Sequence, residues 1–353
     1  MLPYFIVFAL TAIPVIVQVP RWYGFFLFFT YVLFIGLRFE VGADWESYIY
    51  ILEAAKSQSW FALEGITVND FGYHLINKLA GTLNQGIYFV NSVVALIFTS
   101  GLFYFCRHLK NSYAGLVVAF PYLTTVVAMG YTRQSGAIGF EMIALIYLAQ
   151  GKFITFLSYL FLAILLHKTA IFILLIPLVS QLISAIQHRK LLNSIVLLFL
   201  LILFIFGSVL IINSTSRFLT AYIEGQMESS GTLIRLLMNF LPAFIFLMEH
   251  YTARNLFKLS SIVYLSISWL AILSPLLLLT GSTTAADRLA LYLIPIQVYV
   301  LGQFPYLFIS KSWKLFIKWL ILIIAYSFVV LWVWLNFADH AFAWLPYRMY
   351  PFV

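Results

Sequence analysis

Cysteine is almost absent: Cys106 is the single one in 353 residues. No disulfide can form within the chain, and no cysteine-based zinc site can be assembled. Charge is the next scarcity, at 9% of residues, where soluble domains carry about 25%. That excludes an ordinary soluble domain. With 63% hydrophobic residues and a mean hydropathy of +1.01, most of the surface must be solvated by lipid. Low-complexity segments, repeats of solenoid period and a soluble appendage are also missing, so residues 1–353 read as a single membrane domain. The N-terminal MLPYFIVFAL lacks a basic n-region, and the first apolar span is expected to be retained. Acidic residues number 12 against 20 Lys and Arg, a net charge of +8. The basic residues are scattered between apolar spans, which speaks against nucleic acid; topology accounts for them better, together with an anionic ligand.

What is present is a series of long apolar runs. A transmembrane helix takes about 20 such residues, with ~17 sufficing. Runs fall near 3–19, 23–37, 86–105, 113–130, 134–150, 153–166, 169–186, 191–212, 233–248, 260–280, 289–309 and 313–335. They predict an all-α, polytopic integral membrane protein of about 12 transmembrane helices. The runs at 23–37 and 153–166 are short, implying local thinning or a shared water-filled vestibule. One alternate set of turns holds eleven basic residues, Arg21, Arg107, Lys110 and Lys152 among them, against one acid, Glu249. The other set holds nine basic residues and ten acids. The positive-inside rule puts the first set in the cytoplasm, so that both termini and loop 38–85 face outward.

The stretch from Tyr131 to Thr169 organises the rest. One apolar helix runs from Arg133 to a Gly151-Lys152 turn, and a second returns to His167-Lys168. At ~1.5 Å per residue they cover roughly 27 and 22 Å, so their far ends finish on one side at similar depth. A guanidinium, an imidazole and an ammonium then either snorkel to headgroups or share a polar site. Loop 38–85 is too long for a turn. Its aromatic and aliphatic spacing predicts amphipathic helices on or dipping into the interface. FGYHLINKLAGTL from Phe71 is the second of these, with Asn69 and Asp70 placed to cap it. Further outer loops begin at Asn213 and Gly281, and the tail WLPYRMYPFV has the aromatic content of an interfacial anchor.

Arg38, Arg133, Arg288 and Arg348 all lie on the side that should be poor in Arg. If the spans bundle, they form a cage of planar donors suited to phosphate oxygens; otherwise each snorkels or pairs with an acid such as Glu40 or Asp287. Asp44-Trp45-Glu46 can hold a divalent cation or supply a general base, or simply begin a helix. His167 suits a general base, a hydrogen bond to pyrophosphate, or a satisfied place between helices. Glu141 is the acid well inside a span, either functional or a neutral or paired structural carboxyl. Ser135 and Gly139 form a small-xxx-small pair, most simply a close helix contact.

The order and spacing of these residues is familiar: Arg38, then Gly42-x-Asp44 and Tyr48; Phe71-Gly72-Tyr73; Arg133-Gln134; Lys152; His167-Lys168-Thr169-Ala170; and Arg288 with Tyr292. The pattern resembles the EpsG-like branch of the Wzy-type polysaccharide polymerases over roughly residues 20–300. Phe71-Gly72-Tyr73 stands where Pro-Gly-Tyr is common in that family. The resemblance implies a multi-pass enzyme of the bacterial plasma (inner) membrane that joins oligosaccharide repeat units carried on undecaprenyl pyrophosphate, with its active site on the outer, periplasmic face. It implies membrane lipids as partners, and a chain-length regulator and a flippase of the same pathway as candidate ones. Under it, Arg133 and Arg288, with Arg38, hold the pyrophosphate. His167 or Asp44 acts as base or orients the acceptor, and Lys168, Tyr48, Tyr292 and Arg348 complete the substrate site. No metal and no cofactor are expected, since arginines can supply the charge. A ligase, another lipid-linked glycosyltransferase and a flippase are the alternatives. Ionisable groups gathered at one face, rather than along a path through both leaflets, favour an enzyme.

Overall fold

The computed structural model describes residues 1–61, 70–188, 231–249, 261–280 and 283–353. The expected span at 191–212, the outer loop from Asn213, the Asn69 cap and residues 281–282 lie outside them. The fold is nearly all-α, and among the described residues the exception is a two-residue antiparallel pairing of Arg38–Phe39 with Arg348–Met349. Among the described residues, six helices are long and apolar enough to cross a membrane: Ile87–Cys106, Ser112–Gly130, Lys168–Gln187, Thr232–Glu249, Ala286–Phe308 and Trp313–Phe337. Shorter apolar helices span Leu2–Ile16, Trp22–Gly36, Phe153–Leu166 and Ile262–Leu278. This is the pattern of a multi-pass membrane protein. The chain divides into two compact units, one of Met1–Tyr147, Phe153–Ile171 and Leu301–Val353, the other of Leu148–Lys152 and Phe172–Val300.

In the first unit, close approach of helices depends on small residues. Gly101 of Ile87–Cys106 meets Gly139 of Thr132–Ala149 backbone to backbone, as the small-residue spacing predicted. Helix Ser112–Gly130 is buried along nearly its whole length. Its middle, Phe120–Val127, is π-helical. Pro121 there has no N–H to give to a ladder, and a widened turn is one way to absorb it. Trp344 sits against this segment: its indole Nε1 donates to the Thr125 carbonyl at 2.8 Å, and its own carbonyl accepts from Tyr4 Oη at 2.8 Å. Trp344 is buried, so this part of the tail is interior where an interfacial anchor was expected. The tail also straps the start of segment 38–85. Gly42 N donates to Ala343 O at 2.9 Å, and Tyr347 Oη to Phe34 O at 2.8 Å.

The two helices expected in loop 38–85 form as Trp45–Ser57 and Phe71–Thr82. Their apolar faces meet each other and the start of Ile87–Cys106, burying Trp45, Tyr48, Leu52, Tyr73 and Ala80. They pack on protein along those faces. Gly72 permits one approach that fixes the site: a Cβ there would lie 2.9 Å from the Leu165 carbonyl oxygen. The start of Phe71–Thr82 can therefore rest against the end of Phe153–Leu166. In the second unit, Asn239 Nδ2 donates to Ala290 O at 2.9 Å and Gln297 Nε2 to Asn239 Oδ1 at 2.7 Å, tying Thr232–Glu249 to Thr283–Ala290 and Pro295–Gln303.

Candidate active site

Three chain breaks deliver the site. Helix Ser112–Gly130 ends at Tyr131, and a new helix starts at Thr132, which puts Arg133 in its first turn. Phe153–Leu166 stops before His167, and a 3₁₀ turn begins at Lys168. Asp70 stands at the N-cap of Phe71–Thr82, but its side chain caps nothing on that helix. Instead Asp70 Oδ2 accepts from His167 Nδ1 at 2.9 Å and from Arg133 Nη1 at 3.3 Å, and Oδ1 accepts from the Lys168 backbone N–H at 2.8 Å. Asp70 therefore satisfies the start of Lys168–Gln187, where a helix leaves N–H groups without intrahelical partners and welcomes negative charge. Burial opposes ionisation of Asp70 most strongly. The His167 hydrogen bond and charge, the Arg133 guanidinium and the Lys168 N–H together outweigh it and hold the carboxyl below its ordinary value. An ionised carboxylate only accepts, so His167 presents Nδ1–H to it.

Around this carboxylate the structure brings together Arg133, His167, Lys168 and Tyr48. Tyr48, buried on Trp45–Ser57, is hydrogen-bonded to the Arg133 guanidinium. That guanidinium has five N–H donors and is 22% exposed, which leaves it capacity to bind a ligand. Arg38 lies deeper, at 1% exposure. Its Nη1 donates to Ile35 O at 2.6 Å, Nε to Val41 O at 3.1 Å, and Nη2 to Thr132 Oγ1 at 2.8 Å and Asn91 Oδ1 at 3.3 Å. Burial lowers its pKa to about 10, with tyrosines nearby opposing, so the cation persists at neutral pH. The guanidinium is thus enclosed by protein acceptors, not opened toward a ligand. Asp44 occupies the N-cap of Trp45–Ser57, half-buried, one turn ahead of Tyr48. Glu46 is exposed and, two residues on, faces another side of the helix. Among the described residues no group of three His, Cys, Asp or Glu side chains is gathered to hold a metal ion.

Arg348 is at the surface, 3.5 Å from Glu40. In the second unit Asp287 pairs with Arg235 of Thr232–Glu249, while Arg288 is half-buried in the last turn of Thr283–Ala290 and Tyr292 is buried in the turn that follows.

A family model described as the EpsG family matches residues 21–349. The chain belongs to the EpsG family. This is a Wzy-like polymerase family, associated with glycosyltransferase-like polymerase activity and polysaccharide biosynthesis. No curated protein and no solved structure matches the chain significantly.

For an EpsG-family member the residue that sequence reasoning passed over is Asp70. As an acid just before an apolar-periodic segment it has the ordinary look of a helix cap. Its hydrogen-bond partner His167 is 97 positions away, beyond any local pattern. One signal was available: Gly72 within Phe71-Gly72-Tyr73 marks a place where backbone comes close to something, and that something is Leu165, two residues before His167.

Proposed function

We propose that the chain joins oligosaccharide repeat units carried on undecaprenyl pyrophosphate, at the outer face of the bacterial plasma membrane, with release of undecaprenyl pyrophosphate. One observation carries the reading: Arg133 and His167, from the ends of two helices, are drawn to a single oxygen of Asp70 at 3.3 and 2.9 Å. Glycosyl transfer from a diphosphate donor needs this combination, a planar cation for the leaving group and an imidazole for the acceptor. The acceptor hydroxyl oxygen attacks the anomeric carbon of the donor sugar. The bond from that carbon to the pyrophosphate oxygen breaks, and its electron pair departs with undecaprenyl pyrophosphate. The hydroxyl proton passes to His167, while Arg133 stabilises the charge developing on the diphosphate. Tyr48 steadies Arg133. Arg38, bonded to Thr132 next door and to the Val41 carbonyl, holds the outer segment in register with it.

The test is chain length made from lipid-linked repeat unit by purified protein. Arg133→Ala should leave single repeat units, slowed about 10²-fold or more by loss of a charge-stabilising contact. Arg133→Lys should rescue poorly, because an ammonium lacks the planar fork. Polymer of wild-type length from Arg133→Ala at matched protein would end the reading. Transfer to a lipid A core or protein acceptor, with none to a second repeat unit, would replace it by a ligase.

A further inference from the structure

The geometry assigns Asp70 as a positioning residue that sets the tautomer of His167, so that the nitrogen able to take up a proton is Nε2. The inference rests on the proposed reaction for its purpose, and on contacts for its content. His167 Nδ1 lies 2.9 Å from Asp70 Oδ2. Asp70 is 5% exposed, and its other oxygen is engaged by the Lys168 N–H at 2.8 Å, so it cannot rotate away without unpairing a helix start. Held as a carboxylate, it can only accept, which fixes hydrogen on Nδ1 and the lone pair of a neutral ring on Nε2. When Nε2 takes the acceptor proton, the imidazolium forms beside a fixed negative charge that stabilises it. The other charged and titratable groups facing the pair are Arg133 from Thr132–Ala149, Tyr48 from Trp45–Ser57, Tyr73 from Phe71–Thr82, and Lys168 beside His167 in the chain. Arg133 shares Oδ2 with the ring and so moderates the negative charge that His167 feels.

The experiment uses the purified full-length protein with ¹⁵N-labelled histidine. The His167 resonance is assigned by its loss in His167→Gln, and activity is read with lipid-linked repeat unit. Wild type should carry Nδ1–H at neutral pH. In Asp70→Asn the side-chain carbonyl can keep the Lys168 bond while the amide N–H₂ faces Nδ1, so the proton should move to Nε2. Turnover should then fall roughly 10²–10⁴-fold, in protein that still folds, with a modest drop in melting temperature from loss of the ionised carboxylate. Asp70→Asn added to His167→Gln should slow the enzyme far less than it slows wild type, because the ring is gone and only the Arg133 contact is left to disturb. An Nε2–H tautomer in wild type, an unchanged tautomer in Asp70→Asn, or losses that multiply in the double variant would each overturn the assignment. If Asp70→Asn does not fold, Asp70→Glu keeps the charge and must keep Nδ1–H; finding Nε2–H there overturns the assignment equally. Full activity of His167→Gln beside an Nδ1–H signal in wild type would refute the reaction while supporting the pairing.

Discussion

Gly101→Ala is a one-methyl change with a consequence that can be worked from distances. A Cβ at Gly101 would lie 1.9 Å from the Gly139 carbonyl oxygen, 2.5 Å from its carbon and 2.6 Å from its Cα. All three are backbone atoms, so no rotamer change relieves the overlap. Ordinary contact begins near 3.4 Å, so Ile87–Cys106 and Thr132–Ala149 must part by about 1.5 Å at the crossing. The same two helices carry Asn91 and Thr132, which share Arg38 Nη2 at 3.3 and 2.8 Å. Parting them stretches at least one bond past the useful range. Overpacking costs ~1–3 kcal/mol and a buried donor left unpaired another ~1–3, so a loss of about 2–6 kcal/mol is expected. Cys106, the lone thiol and fully buried at the end of the affected helix, is a built-in reporter: its reaction with a fluorogenic maleimide during heating marks unfolding. Gly136→Ala is the control. Its Cβ would meet Leu166 Cδ1 at 2.8 Å and Val94 Cγ1 at 3.1 Å, side-chain tips that can move, so its midpoint should shift much less. A Gly101→Ala protein with wild-type midpoint and wild-type polymer would refute the account of this crossing.

Arg38→Met should strip four acceptors of their donor, at ~1–3 kcal/mol for each left unpaired; we expect less folded protein on size-exclusion, with KM for the lipid-linked donor unchanged in what survives. A raised KM in well-folded Arg38→Met would instead put this guanidinium on the substrate. For topology, Ser57→Cys and Lys110→Cys on a Cys106→Ser background should differ on intact cells, with an impermeant thiol reagent labelling only Ser57→Cys; the reverse would invert the orientation. Acid should also discriminate. The folded-state pKa of Asp70 is depressed, so its contribution is complete above the unfolded value of ~3.9 and disappears as pH falls through the lower folded value. Between about pH 5 and pH 2 the wild type should lose more melting temperature than Asp70→Asn; equal losses would mean that Asp70 is not held ionised.

Apolar runs made the membrane character and most helices legible, because a helix in lipid must satisfy its backbone internally. Loop 38–85 was readable as two amphipathic helices, yet the partner of their apolar faces was not: headgroups and protein satisfy the same periodicity. Arg133 and His167 could be paired from helix lengths alone, since the hairpin that separates them is nearly symmetric. Asp70 could not, because capping explains an acid at that position and long-range contacts leave no local trace. Arg38 was read as facing outward from its place after a span. Its acceptors Ile35 O and Val41 O are backbone groups three residues either side, and residue type carries no record of them. Trp344 likewise has the composition of an interfacial anchor; the Thr125 carbonyl that holds its indole is 219 positions away.

The strap formed by Ala343, Tyr347 and Arg348 sets an order of manufacture. Ribosomes deliver a chain in sequence order, and apolar helices can enter the bilayer as they emerge. Asp70, Arg133 and His167 are all synthesised well before the tail, so these three side chains can meet early. The turn from Phe34 to Gly42 has no such privilege: its partners on Ala343 and Tyr347, and the Phe39–Arg348 register, exist only once the last long helix, Trp313–Phe337, has been made. A chain interrupted near residue 340 would thus carry Asp70, Arg133 and His167 and still lack the clasp on Arg38. The segment from Phe34 to Gly42 would stay open until residues 343–349 emerge to close it.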